Sequence, residues 1–134
     1  MHQLDHIGIA VKDFAQAIPL YQTLLQTLCY KQETVADQAV DTAFFAVGNT
    51  KIELLQSTTP DGVIAKYISS KGEGIHHIAF AVHDIAAEII RLQAQGYTVL
   101  NPIPKLGADN KLVTFLHPKS THGVLIELCQ DAPL

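Results

Sequence analysis

Four residues with metal-ligating side chains stand at matched places in a chain that writes itself twice. Leu4-Asp5-His6-Ile7-Gly8-Ile9-Ala10-Val11 recurs as Ile75-His76-His77-Ile78-Ala79-Phe80-Ala81-Val82, and Ile52-Glu53-Leu54-Leu55-Gln56 recurs as Ile126-Glu127-Leu128-Cys129-Gln130. His6 therefore matches His77, Glu53 matches Glu127, and His76 matches Asp5. From His to Glu the count is 47 residues in the first copy and 50 in the second. Two imidazoles and two carboxylates make a mixed N/O donor set suited to a divalent first-row metal. Positions left to water or substrate would make such a metal catalytic rather than structural. Any one of the four alone reads as a strand His bonded to backbone or a Glu on a solvated face. All four at equivalent places in a repeat argue otherwise, because burying unpaired carboxylates is expensive.

The elements that must position them follow from the periodicity. Both His segments alternate apolar residues as strands do, so the neighbours His76 and His77 point to opposite faces, and the repeat selects His77. After the first strand, Asp13 is placed to N-cap a helix whose face carries Phe14, Ile18, Tyr21 and Leu25. Pro19 inside it predicts a late start or a kink. Extended runs are expected over 29–35, 41–47 and 50–56, with a short polar loop at 36–39 and a turn at Gly48-Asn49. Residues 57–71 form a connector, with a short helix over 63–70. The second copy opens after Gly72-Glu73-Gly74. Asp84 stands seven residues after His77, as Asp13 does after His6. A helix with Ile85, Ile89 and Leu92 on one face ends at Gly96, a C-cap glycine. Residues 97–100 are expected to be extended, 101–110 a Pro/Gly loop, and 111–116 and 123–129 strands. The expected architecture is α+β, a single domain over 1–134. Two βαβββ modules (1–56 and 72–130, linker 57–71) would form a curved, partly open mixed sheet with one His and one Glu of each module on its inner face.

Composition narrows the partners. The chain has 134 residues, 48% of them hydrophobic, and a net charge of −4. That balance, with no Lys/Arg cluster, argues against nucleic acid. No twenty-residue apolar run and no leader-like N-terminus is present, so the expectation is a soluble cytoplasmic protein with no membrane partner. Cys29 and Cys129 are too few for a disulfide framework, have no C-x-x-C spacing, and read as reduced small hydrophobes in strands.

With these residues in view, the chain resembles the vicinal oxygen chelate (glyoxalase-like) superfamily. Within it, the chain is most similar to the methylmalonyl-CoA epimerase family. The carrying segments are Leu4 to Val11, Gly48-Asn49-Thr50-Lys51-Ile52-Glu53-Leu54-Leu55, Ile64-Ala65-Lys66-Tyr67, Gly72 to Phe80, and His117-Pro118-Lys119-Ser120-Thr121 through Glu127-Leu128. The His and Glu strands specify only the superfamily. The G-x-G-x-H-H-I-A-F and H-P-K-S-T-x-G-V-L-I-E-L runs are much more specific to the epimerases.

The resemblance implies epimerisation of a short branched malonyl thioester, a small acyl-CoA. A divalent ion held by His6, Glu53, His77 and Glu127 would stabilise the enolate left when the α-proton departs. Co²⁺ is the first candidate, with Mn²⁺, Ni²⁺, Zn²⁺ and Fe²⁺ also compatible. One group would remove the proton and another return it to the opposite face. The family's E-Q-G-V glutamate and its last ligand glutamate fall here on Asp37 and Glu127. The chain departs from the pattern at Asp37 (Asp for Glu) and Ala39 (Ala for Gly). Lys119, Ser120 and Thr121 would bind the substrate carboxylate or thioester end, a solvated hairpin being the alternative. His2, His76, His83 and His122 receive no role at the site. A homodimer is implied by the superfamily's habit and by open sheet edges. A glyoxalase I-type lyase acting on a glutathione hemithioacetal and a metal-free binding protein are the competing readings. The intact His/Glu quartet argues against the latter.

Overall fold

Branched apolar side chains on one face of each strand set give the helices something to cover, and this fixes which face is left for polar residues. The computed structural model describes residues 1–133. The chain forms two units, one of His6–His76 and one of Met1–Asp5 together with the chain from His77 onward. The division does not fall at the connector, which belongs wholly to the first unit.

The first unit contains the His6–Ala10 part of β1 (Gln3–Ala10), then α1 (Phe14–Leu25), β2 (Lys31–Val35), β3 (Val40–Val47), β4 (Thr50–Ser57) and α2 (Val63–Lys71). Its strands lie in the order β2-β3-β4-β1, antiparallel except for β1, which runs parallel to β4. The second unit contains β5 (Gly74–Ala81) from His77 on, α3 (Ile85–Ala94), β6 (Lys105–Leu106), β7 (Lys111–Leu116) and β8 (Ile126–Asp131). Its order is β5-β8-β7-β6, with β5 parallel to β8 and the rest antiparallel. Each is a mixed sheet reached by the same path, strand, helix, then three strands, so the α+β expectation holds. No described helix is long and apolar enough to cross a membrane.

The helices pack as their periodicity requires. Phe14, Ile18, Tyr21 and Leu25 meet Phe45 and Leu54 in the first unit. Ile85, Ile89 and Leu92 meet Val99, Leu116 and Leu128 in the second. The Asp13 carboxylate accepts from the Ala15 N–H (2.9 Å) and the Asp84 carboxylate from the Ala87 N–H (3.1 Å), the two expected N-caps. Gly96, at φ +92°, ends α3. There the Tyr97 N–H reaches the Leu92 carbonyl and the Gly96 N–H the Gln93 carbonyl, the paired bonds of a Schellman motif.

Four expectations need correction. Helix α1 begins at Phe14 despite Pro19, because the Asp13 cap and packed apolar face start it before the proline's missing donor is felt. The first extended run begins at Lys31 rather than Cys29, after Gln26 turns the chain through the left-handed region. In the second unit the segment 97–100 contributes one bridge, Val99 to Leu116, while the strand partner of β7 is β6, inside the expected loop. Gly107 permits that hairpin: its N–H donates to the Lys111 carbonyl, and a Cβ there would lie 3.2 Å from the Val113 side chain. Finally, β8 starts at Ile126 rather than Gly123, because the left-handed backbone of His122 and Gly123 holds the chain out of the ladder.

Candidate active site

In the first unit, Ile9, Ile52 and Leu54 turn toward α1. Alternation therefore sends His6 of β1 and Glu53 of β4 to the opposite face. The parallel register sets Gly8 beside Glu53. His6, two residues earlier on the same face, is then its diagonal neighbour. The His6 Nδ1 lies 3.0 Å from Glu53 Oε2. The second unit repeats this construction. Ile126 and Leu128 turn toward α3, the register sets Ala79 beside Glu127, and His77, two residues before Ala79, places Nε2 3.4 Å from Glu127 Oε1. A phenylalanine stands across from each glutamate, Phe44 from Glu53 and Phe115 from Glu127. The Phe115 ring meets His77 edge-on at 5.9 Å. All four ligand candidates are no more than 6% exposed.

Each glutamate strand is tied to its helix by the residue three places on. Gln56 Oε1 accepts from the Phe14 N–H (2.6 Å), and Gln130 Oε1 accepts from the Ile85 N–H (2.7 Å). The same glutamine thus satisfies an orphan helix donor in both units and fixes helix against strand. The repeat shows these glutamines, but only the structure gives their work.

His76 does turn away from the His77 face. Its ring meets Tyr67 edge-on at 4.8 Å, and burial lowers its pKa below the usual histidine value. Asp37 is exposed in a 3₁₀ turn over Ala36–Gln38. The ladder pairs Val40 with Ser57, and the Thr58 N–H donates to the Ala39 carbonyl at 2.9 Å. The Asp37 turn is therefore fastened at the end of β4, four residues beyond Glu53, or about 13 Å along the strand. Ala39 holds φ +52°, the left-handed conformation that glycine adopts without strain.

The H-P-K-S-T segment forms a 3₁₀ turn over Pro118–Thr121. Ser120 Oγ accepts from the Thr98 N–H at 2.9 Å, and the Thr121 hydroxyl donates to the Val124 carbonyl. Lys119 is exposed, and its N–H donates to His117 Nδ1. These contacts bind the turn to its own unit.

Asp5, unassigned from the sequence, is 6% exposed and lies 3.8 Å from Lys111 Nζ, which also pairs with Asp131. Burial pushes the Lys111 pKa down, but the hydrogen bond to Asp131 and the charges of both aspartates leave it raised. A carboxylate between Leu4 and His6 in an apolar strand was the available signal. Each unit thus offers a buried imidazole and carboxylate to a metal ion, His6 with Glu53 in the first and His77 with Glu127 in the second. The donor chemistry fits such an ion: buried carboxylates, each with an imidazole nitrogen at hand, in the N/O mixture that first-row divalent cations accept.

Residues 5–115 match the model of the glyoxalase/bleomycin resistance protein/dioxygenase superfamily. An ethylmalonyl-CoA/methylmalonyl-CoA epimerase of Cereibacter sphaeroides is 39% identical over 96% of this chain and 97% of its own. The chain belongs to the methylmalonyl-CoA epimerase family of that superfamily. An uncharacterised Bacillus subtilis protein, YqjC, is 38% identical over 97% of this chain and 93% of its own. A Streptomyces coelicolor methylmalonyl-CoA epimerase variant in complex with 2-nitronate-propionyl-CoA superposes with a TM-score of 0.92 at 33% identity, covering 98% of this chain and 96% of that one. The epimerase-family likeness thus covers nearly the whole chain.

Proposed function

We propose that this protein epimerises methylmalonyl-CoA, interconverting its R and S forms by moving the α-proton from one face of the carbon to the other. The carrying observation is the buried His–Glu pair that each unit brings together at equivalent strand positions, His6 with Glu53 and His77 with Glu127. In this reading the four side chains hold one divalent ion. The ion, when bound, supplies positive charge that stabilises negative charge growing on the thioester oxygen. Glu127 and Asp37 exchange the proton. One carboxylate takes it from the α-carbon, whose C–H electron pair passes into the enolate. The other, protonated, returns a proton to the opposite face. The neighbouring Phe44 and Phe115 keep water from the glutamates that they face, which strengthens electrostatic contacts there.

The test is exchange of the substrate α-proton with solvent deuterium, followed by NMR with and without a chelator. Exchange at the α-carbon that a chelator abolishes and added metal restores is the expected result. Turnover of a glutathione hemithioacetal with no exchange into methylmalonyl-CoA would replace the epimerase reading with the glyoxalase I type.

A further inference from the structure

One row of the first unit's ladder, just before the Asp37 turn, carries three polar side chains. Thr34 of β2 pairs with Asp41 of β3, and Asp41 with Gln56 of β4. Ladder partners point to one face, and Gln56, three residues on from Glu53, takes the face opposite to that glutamate. The row therefore lies on the α1 side of the sheet. Its hydrogen bonds have a fixed direction. The Phe14 N–H donates to Gln56 Oε1 at 2.6 Å, which turns the amide nitrogen of Gln56 toward Asp41. Gln56 Nε2 donates to Asp41 Oδ2 at 3.3 Å, and the Thr34 hydroxyl donates to Asp41 Oδ1 at 2.6 Å. Position 41 accepts twice, as a carboxylate can. The Thr34–Asp41 bond closes a loop over residues 35–40, the segment that holds Asp37.

The second unit serves as an internal control. Gln130 caps α3 as Gln56 caps α1, but its partner across the ladder is Leu112. The helix cap thus needs no carboxylate beside it. The aspartate stands in the unit whose neighbouring turn carries Asp37. That turn calls for an outside hold, because Ala39 keeps φ +52°, a conformation that an alanine left to itself avoids.

We infer that Asp41 is a positioning residue for the proton transfer, holding the Asp37 turn through Thr34 and Gln56 from the face of the sheet away from the site. The inference rests on the epimerase reading with Asp37 as one of its acid/base groups. Asp41, on the helix side, touches neither the substrate nor the ion of that reading. It acts by narrowing the positions open to the Asp37 carboxylate, and a displacement of about 1 Å at a reacting group costs about 10²-fold.

Three substitutions test it. Asp41→Leu gives the row the residue type that the second unit carries. Thr34→Val removes the loop-closing hydroxyl and leaves the Asp41–Gln56 bond. Asp41→Asn keeps an oxygen for Gln56 and offers an amide to the Thr34 hydroxyl, so it is the rescue. The first readout is hydrogen exchange at the Ala39 and Thr58 amides, which donate to the Ala36 and Ala39 carbonyls. Exchange should quicken about tenfold in Asp41→Leu and Thr34→Val, the scale of losing a hydrogen bond to a charged group, and change little in Asp41→Asn. The second readout is solvent-deuterium exchange at the α-carbon, measured on each methylmalonyl-CoA epimer separately. The two carboxylates serve opposite faces. Exchange should therefore fall about tenfold or more for the epimer whose α-proton faces Asp37, and hold for the epimer served by Glu127. Asp37→Asn combined with Asp41→Leu should be no slower than Asp37→Asn alone, because both act through one carboxylate. Equal losses on both epimers, additive losses in the double variant, or unchanged amide exchange in Asp41→Leu and Thr34→Val overturns the inference. The epimerase reading fails separately: quickened amide exchange in those two variants, beside a wild type that catalyses no α-proton exchange, keeps the hold on the turn and removes the reaction.

Discussion

At the scale of single residues, two neighbours on one strand make the sharpest contrast. His77 lies 3.4 Å from Glu127, whereas His76 packs against Tyr67 on the other side. His77→Ala is expected to strip the protein of its divalent ion and His76→Ala to retain it, as read by elemental analysis after dialysis; loss in His76→Ala with retention in His77→Ala would overturn the facing assignment. Asp37 is a test of reach. Its exposed turn is held by the Thr58–Ala39 hydrogen bond rather than by its own side chain. Asp37→Asn should therefore keep fold and metal while lowering kcat about 10²-fold, the scale of losing a positioned general base. Asp37→Glu should retain activity, since the carboxylate is kept with one methylene more of reach. Near-normal turnover by Asp37→Asn would remove it from the proton path.

At the scale of elements, the coupling of helix to strand matters most. Gln56 and Gln130 each lend an oxygen to the first N–H of a helix from a strand that also carries a glutamate ligand candidate. Gln56→Ala or Gln130→Ala leaves a partly buried donor unsatisfied and should cost about 1 kcal/mol in urea denaturation. The turn after Asp37 stores the opposite kind of term. Ala39 at φ +52° pays for a conformation that glycine adopts freely. Ala39→Gly should leave stability equal or raise it by up to about 1 kcal/mol, the relief of left-handed strain set against the greater unfolded-state freedom of glycine. A clear loss of stability would show that the alanine methyl packs usefully there.

At the scale of the whole molecule, the proposed ion couples site to stability. A ligand that binds only the folded chain stabilises it by mass action, by about 2.7 kcal/mol at a hundred times its Kd. Saturating metal should therefore raise the thermal midpoint of the wild type and chelator lower it. The same additions should leave a variant lacking both His6 and His77 unmoved. An equal shift in that variant would place the ion elsewhere.

Much of this was already determined by the sequence. The repeat paired His6 with His77 and Glu53 with Glu127 and decided between His76 and His77, because strand alternation is a period of two that a reader can count. Asp13, Asp84 and Gly96 announced the helix ends, since caps depend on local backbone groups. What only the tertiary structure decided involves partners distant in sequence. The two-residue β6 has no periodicity to count; it is a strand because Lys105 and Leu106 find Val113 and Leu112 across a turn. Buried Asp5 has the Lys111 ammonium 3.8 Å away, a neighbour 106 residues along the chain. The diagonal that brings each His to its Glu comes from a parallel register, Gly8 beside Glu53 and Ala79 beside Glu127, that a full β-α-β-β-β path must close. Short-range patterns fix which face a side chain takes, and only the closed ladder fixes what it meets there.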